Sequence, residues 1–409
     1  MKKQTFSILV LAALVVVSIT IFSCKKNAQL STATYSATPN LPSTPYPYWS
    51  KNRVDSNVAT LGRVLFYDRR LSVNNAVACG SCHLQSRAFA DYQQFSTGFD
   101  GRKTRRNSIA IQNIVGFFND FNNTGVPATS NQITSLNLFW DGRQNNLSNM
   151  VGNPINNHIE MHMDDMNALC TRLQATSFYP DLFQKAFGSS TVSRENIAFA
   201  LEAFVQCLQT NNSKFDKSLS FNTMTGQQQI PQPLTAIEQQ GLNAFTSTYN
   251  CNACHQISQT GYSNSFNEFA NIGLDVSYTD NGRGEITGNA SDNGSFKVPN
   301  LRNIELTAPY MHDGRYNTLE EVIDHYSHNI QPNRYLSATL RDLNGVSIKT
   351  IISPINVFTE IDTTGLYQAP PQQKNITDAD KKALVAFLKT LTDFDFITNP
   401  MYSNPFIKQ

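Results

Sequence analysis

The sequence predicts a mainly α-helical chain with long loops, divided into two halves of similar size. Three observations carry this. Several capped amphipathic helices can be read along the chain, and no segment reads as a multistranded sheet. A five-residue Cys/His motif also occurs twice, as Cys79-Gly-Ser-Cys-His83 and Cys251-Asn-Ala-Cys-His255, with its copies 172 residues apart, which is one domain's worth of chain.

The elements follow in order. Met1-Lys2-Lys3 is a short basic run, followed by an apolar stretch from Phe6 to Phe22 and then Ser23-Cys24, so residues 1–23 read as an export signal. Lys25 to Tyr48 is rich in Ser, Thr, Pro and Asn without apolar periodicity, and 24–56 is expected to be a tether. Val58, Leu61, Val64 and Leu65 form a helical stripe leading to the first motif. Ser193 begins a helix with Ile197, Leu201, Phe204, Val205 and Leu208 on one face. Asn211 to Pro233 is polar and ends in Ile-Pro-Gln-Pro, which separates an N-terminal domain at 57–215 from a C-terminal one at 234–396. Thr235-Ala-Ile-Glu238 is a capping box for a helix running towards Cys251. Thr318 to Glu321 caps a helix carrying Val322, Ile323 and Tyr326, and Thr377 to Asp380 caps the last, with Leu384, Phe387, Leu388 and Leu391. Asp275 to Ser295, full of Gly, Asn and Asp, is expected as loop.

The 409 residues carry 32 basic and 31 acidic side chains, a net charge of +1. Without residues 1–23 the chain has 386 residues and a charge of about −1. Such a balance gives no reason to expect a nucleic-acid partner, and the length suffices for two ordinary cores.

C-x-x-C-H is the attachment pattern of a c-type haem: the thiols form thioethers with the vinyl groups and the histidine ligates iron. A thioredoxin-like pair or half a zinc site would explain the cysteines, but neither requires the adjacent histidine in both copies. Two covalently bound haem c groups are therefore expected, on Cys79, Cys82 and His83 and on Cys251, Cys254 and His255. Covalent haem attachment outside the bacterial cytoplasm agrees with the export signal. Of the seven cysteines, Cys170 and Cys207 are left either to pair as a disulfide or to be buried separately.

Several further segments are LGRVLFYDRRLS (61–72), RRNSIAIQN (105–113), LFWDGRQNNL (138–147), GNPINNHIEM (152–161) and FKVPNLRNIELTAPYMHDGRYNTLEEV (296–322). Taken in order over residues 57 to 395, they resemble the bacterial dihaem cytochrome c peroxidase family, which includes the MauG-type enzymes. Ile21-Phe22-Ser23-Cys24 resembles a lipobox, implying cleavage before Cys24 and acylation of its thiol. Phe22 is less usual there, so an uncleaved anchor or ordinary secretion stands beside that reading.

The resemblance implies two cytochrome c-like α domains whose haems face a shared interface, the first reacting with peroxide and the second transferring electrons. His83 and His255 would be the proximal ligands. Trp140 would pass a hole between the haems, although a Trp in a Leu-Phe-Trp run also suits a core. Glu160 would be the distal glutamate that moves a proton during O–O cleavage. His158 and His162 flank it as H-x-E-x-H, a weak match to a metal site, and stay unassigned. A calcium ion would be held by the Asn107 side chain and the carbonyls of Thr307 and Pro309, with waters.

Two positions depart from the peroxidases. The residue sixteen after His83, a ligating histidine in many relatives, is Phe99, which leaves the first haem open unless the loop shifts and another group binds. The residue fourteen after His312, methionine in typical peroxidases and tyrosine in MauG-type enzymes, is Tyr326. Met311, His325 and His328 are its rivals as ligand. Tyr249 is a candidate hopping station near the surface.

The expected function is an oxidoreductase, anchored in the periplasm by lipid alone, that reduces hydrogen peroxide with electrons from a small c-type cytochrome or cupredoxin. A MauG-like enzyme using the high-valent state to oxidise a protein or organic substrate is one alternative, and a non-enzymatic dihaem carrier is another. Homodimers are common in the family, but no residue here argues for one independently.

Overall fold

The two halves each turn on one helix crossing. The computed structural model describes residues 38–41, 54–114, 137–220, 228–257, 269–342 and 369–407, with the backbone of two strands at 348–352 and 357–361. Leu41–Pro405 is one compact unit; Met1–Asn40 with Phe406–Gln409 forms a second, of which 38–40 and 406–407 are described. The export signal, Cys24 and most of the tether lie outside the described residues. Among those described, no helix is long and apolar enough to cross a membrane.

The described chain is mostly helical. Its longer helices are α1 (Ser56–Tyr67), α2 (Leu147–Asn156), α3 (Met166–Gln174), α4 (Tyr179–Phe187), α5 (Arg194–Cys207), α6 (Ala236–Asn243), α7 (Leu319–His328) and α8 (Asp378–Lys389). Their starts obey local chemistry. The Ser193 hydroxyl accepts from Asn196 N at 3.2 Å, Glu238 accepts from Thr235 N at 2.8 Å, Thr318 Oγ1 accepts from Glu321 N at 3.2 Å, and Thr377 Oγ1 accepts from Asp380 N at 3.1 Å. Each satisfies an N–H that the first helical turn leaves unpaired.

In the first half α1 crosses α5 and in the second α6 crosses α8. Both crossings are built on glycine. A Cβ on Gly62 would lie 1.8 Å from the Ala200 carbonyl oxygen, and one on Gly241 would lie 1.9 Å from that of Ala383. A phenylalanine four residues further along the partner helix, Phe204 or Phe387, packs beside each glycine and is fully buried. The apolar faces read from sequence close these contacts: Ile197, Leu201, Phe204 and Val205 in α5, and Leu384, Phe387 and Leu388 in α8, are buried.

Between the halves, the polar stretch after Asn211 holds a short helix, Lys214–Ser218, started by a Ser213–Asp216 capping box. Asp216 also takes Arg302 in a two-pronged ion pair at 2.8 and 2.6 Å, with both side chains buried. The Gly/Asn/Asp-rich stretch at 275–295 is loop with a short α-helix at Arg283–Thr287 and a 3-10 turn at Ala290–Asp292. Sheet is sparse: β1 (Phe269–Ala270) pairs with β2 (Phe296–Lys297), and β3 (Ile348–Ile352) pairs with β4 (Val357–Ile361), both antiparallel. The β3–β4 hairpin is an addition to the sequence reading. Its strands are rich in Ile, Val and Thr, but a lone two-stranded ribbon imposes no repeating pattern strong enough to separate it from loop.

Candidate haem centre

Both Cys/His motifs open onto one cavity of about 700 Å³. Cys82 and His83 line it from the first motif, and Cys251, Cys254 and His255 from the second; Cys79 stands at the start of the same short turn as Cys82. The cavity also gathers Asn107, Trp140, Glu160, Thr307, Pro309 and Tyr326. Segments more than 200 residues apart in sequence thus meet around one space.

The two imidazoles are prepared alike. His83 Nδ1 lies 2.8 Å from the Phe89 carbonyl, and His255 Nδ1 lies 3.2 Å from the Pro299 carbonyl. A carbonyl can only accept, so each Nδ1 carries the hydrogen and each Nε2 keeps its lone pair. Burial lowers both ring pKa values, that of His255 to about 4, despite the carbonyl contact, which favours the charged ring. Both rings are therefore neutral, with one nitrogen available to a metal. Ala88 and Phe89, with φ of 50° and 62°, hold the left-handed turn that brings the Phe89 carbonyl back to His83. Burial pushes the Cys79 thiol up to about 12 and those of Cys82 and Cys251 to about 11. In each motif, two thiols beside a neutral, oriented imidazole make the donor set of a covalently attached haem, and the residues present fit two such groups.

Glu160 belongs to the first motif. Its charge acts on both Cys79 and Cys82. Its carboxyl accepts from Asn157 Nδ2 at 2.9 Å, and desolvation raises its pKa against the opposing pull of Arg143. Phe99 N donates to the Glu160 carbonyl at 2.9 Å, and Gly98 passes so close to Ile159 that a Cβ there would meet its carbonyl oxygen at 1.7 Å. The loop that holds Phe99 therefore braces Glu160 from behind. The Phe99 ring packs on His162, with centroids 5.1 Å apart, and neither lines the cavity. His158 is exposed, and His162 pairs with Asp164 at 3.0 Å. Among the described residues, no group of three His, Cys, Asp or Glu side chains converges as a metal site, so the H-x-E-x-H pattern does not make one.

Tyr326 belongs to the second motif. Desolvation raises its hydroxyl pKa well above the ordinary value, and Cys254 and Cys251 add to that. Of its rivals, His325 Nε2 is taken by the Ile272 carbonyl at 2.9 Å, His328 is exposed, and neither lines the cavity; Met311 does. Tyr249 also lines it. Neither Cys170 nor Cys207 is in a disulfide.

Asn107 ties the halves together. Its carbonyl accepts from Trp140 Nε1 at 2.8 Å, its N–H donates to the His312 carbonyl at 2.7 Å, and its Nδ2 donates to the Gln93 and Gln94 carbonyls at 3.2 Å each. Trp140 is thereby held rigidly at the cavity wall and is nearly fully buried.

Sequence reasoning missed a charged belt around this site. Arg106 joins Asp141 to Asp280, and Arg105 reaches Glu285 at 2.6 Å. It also missed Lys297, a half-buried cavity-lining amine whose pKa desolvation lowers to about 8. A signal was present: Leu138-Phe-Trp-Asp-Gly-Arg143 recurs as Tyr310-Met-His-Asp-Gly-Arg315 at the same 172-residue offset as the Cys/His motifs. The copies share backbone form. Phe139 and Met311 have φ of 64° and 74°, Gly142 and Gly314 have 66° and 63°, and each aspartate accepts from the backbone N–H of its own arginine, at 3.1 and 3.3 Å. Continuing the register makes Pro154 on α2 the counterpart of Tyr326 on α7 in the repeat, and both line the cavity.

The profile of the di-haem cytochrome c peroxidase family matches residues 56–223. The cytochrome c551 peroxidase of Nitrosomonas europaea is 33% identical over 275 residues, covering 66% of this chain and 72% of that protein. The methylamine utilization protein MauG of Paracoccus denitrificans is 30% identical over 369 residues, covering 83% and 89%. Among solved structures, a MauG-like protein associated with microbial copper homeostasis superposes with a TM-score of 0.64 at 30% identity, covering 92% of this chain and 99% of that one.

Proposed function

Because the chain belongs to the di-haem cytochrome c peroxidase family, we propose that it is an exported enzyme that reduces hydrogen peroxide at the His83 haem with electrons delivered through the His255 haem. Membership makes it a dihaem peroxidase with two haem c groups. The finer assignments of domain, residue, donor and compartment are our own. When bound, the haem irons supply the redox chemistry; the chain's residues supply ligation, proton movement and an electronic path.

The observation that carries this reading is the shared cavity with its two matched imidazoles, each fixed through Nδ1 to a backbone carbonyl. His83 and His255 would hold the irons through Nε2, and Cys79, Cys82, Cys251 and Cys254 would hold the porphyrins. Glu160, whose charge acts on Cys79 and Cys82, would serve as the proton carrier there, its carboxylate accepting a proton from hydrogen peroxide and returning it to the oxygen that departs as water. Asn157 Nδ2 keeps the carboxyl in place for this transfer. Trp140, locked by its bond to Asn107, connects the two haem positions electronically. Phe99 lies off the cavity, which supports an open first iron that needs no reductive activation.

We assign Tyr326 as a further residue that would hold the second iron, because two of its rivals are occupied or exposed. Burial alone keeps the Tyr326 phenol protonated, but once deprotonated by an iron it would be a hard, anionic donor that favours oxidised over reduced iron, and this supports the second reading, oxidation of a protein or organic substrate in the MauG manner. Asn107 Oδ1 with the Thr307 and Pro309 carbonyls suits a hard cation, and we assign calcium there. The electron donor is a small c-type cytochrome or cupredoxin. Cys24 carries a lipid that holds the enzyme at the membrane, facing the periplasm.

One equivalent of hydrogen peroxide added to the diferric protein, without pre-reduction, tests the reading. A rapid change of the haem spectrum is expected. A spectrum that stays unchanged until one haem is reduced would mean that a distal ligand closes the first iron. Multiple turnovers with a reduced c-type cytochrome, compared with turnovers with organic substrates alone, separate the two functions.

A further inference from the structure

Four described tyrosines line the cavity: Tyr249, Tyr278, Tyr310 and Tyr326. Their hydroxyl partners differ. Tyr278 donates to the Asn271 side-chain oxygen at 3.2 Å and Tyr310 to the Ile304 carbonyl at 2.9 Å. Tyr249 donates to a carboxylate, Asp380 Oδ2, at 2.8 Å. The difference is chemical. A phenol gives up an electron readily only when its proton leaves in the same step, and an amide or carbonyl oxygen is too weak a base to take that proton, whereas a carboxylate can take it.

Position agrees with chemistry. Tyr249 is nearly buried, two residues before Cys251, and its ring packs in the apolar cluster with Phe245, Leu384 and Phe387. Asp380 is half-buried in the first turn of α8, where Gln240 Nε2 at 3.0 Å and Thr377 Oγ1 at 3.0 Å also donate to it. These donors keep the carboxylate ionised and aimed at the phenol. The pair thus runs from the wall of the His255 cavity to the surface.

We propose that Tyr249 and Asp380 form a proton-coupled relay through which electrons from an external one-electron donor reach the second haem. This rests on the peroxidase reading above. In each round Tyr249 gives one electron to the oxidised centre, its O–H bond breaks, and the proton forms a carboxylic acid with Asp380. A reduced c-type cytochrome then returns one electron to the phenoxyl oxygen, and the proton comes back from Asp380. Two rounds oxidise two cytochromes and supply the two electrons that one peroxide consumes.

The test uses the diferric holoenzyme with ring-deuterated tyrosine. Hydrogen peroxide is added without donor and the sample is freeze-quenched for electron paramagnetic resonance. An organic radical narrowed by the deuterium is expected, lost in Tyr249→Phe and reduced at least tenfold in Asp380→Asn. Turnover with reduced cytochrome c should fall at least tenfold in both variants. The asparagine keeps the shape of the aspartate and one of its two acceptor oxygens, so that variant decides the matter if Tyr249→Phe fails to fold. Wild-type cytochrome turnover in both variants, or an undiminished radical in Tyr249→Phe, overturns the relay. A wild-type haem spectrum that does not respond to peroxide at all would instead sink the peroxidase reading.

Discussion

At the scale of single residues, Glu160 shows how environment sets chemistry. A solvated glutamate is mostly ionised by pH 5, whereas desolvation in the cavity wall raises the pKa of this one. The proposed step needs the carboxylate, so the rate of the peroxide reaction should fall on acidification, and at a higher pH than an ordinary glutamate would give. Stopped-flow rate constants against pH check this, and a flat profile would count against Glu160 as the base. Glu160→Gln should slow the reaction by roughly 10²–10⁴-fold while leaving the resting haem spectrum unchanged. Tyr326→Phe should act on the other iron. Removing the hydroxyl takes away the assigned ligand, so the second haem should become five-coordinate, seen as a low-spin resonance replaced by a high-spin one. If the low-spin signal survives, Met311 is the ligand, since it is the remaining rival on the cavity.

The helices owe their starts to neighbours in sequence and their crossings to distant glycines. Ser193, Thr235, Thr318 and Thr377 act within three residues, which is why these caps could be read directly. Gly62 and Gly241 carry no such local signature. They matter because the partner helix presents a backbone carbonyl less than 2 Å from where a Cβ would stand. Gly62→Ala and Gly241→Ala should therefore each cost about 1–3 kcal/mol or more through overpacking, measured by denaturant titration of the holoprotein. Each should loosen mainly the haem of its own half. Equal disturbance of both haem spectra by either variant would argue against two crossings acting separately.

On the scale of the molecule, buried charge joins what the chain separates. Arg302 and Asp216 link the stretch between the halves to the segment that carries Pro299, whose carbonyl orients His255. Removing one partner strands the other in a dry interior, so Arg302→Leu should destabilise the fold by roughly 3–5 kcal/mol, read as a lowered Tm. Asn107 does the same work with neutral groups, holding Trp140 by one backbone atom and His312 by the other. If calcium sits on its side-chain oxygen, chelation should lower turnover and added Ca²⁺ should restore it, while Mg²⁺, which demands a tighter octahedron, should not. Turnover indifferent to chelation would remove calcium from the assignment.

By itself the sequence determined whatever depends on residues a few positions apart. The two C-x-x-C-H motifs, the capping boxes and the apolar stripes are of this kind, because covalent attachment and helix starts are local chemistry. The order of the longer segments was enough to imply the family, and with it the cavity residues Asn107, Trp140, Glu160 and Tyr326. Tertiary structure alone decided that Phe89 and Pro299 supply the carbonyls that fix each imidazole, with Pro299 44 residues from its histidine. It also decided that Phe99 packs on His162 away from the cavity, that His325 spends its Nε2 on Ile272, and that Tyr249 meets a carboxylate 131 residues away. The reason is physical. Apart from the Phe89 turn, these contacts join residues tens of positions apart or more, and such contacts depend on how the elements pack, which is set by the whole core at once, so no short stretch of chain encodes them.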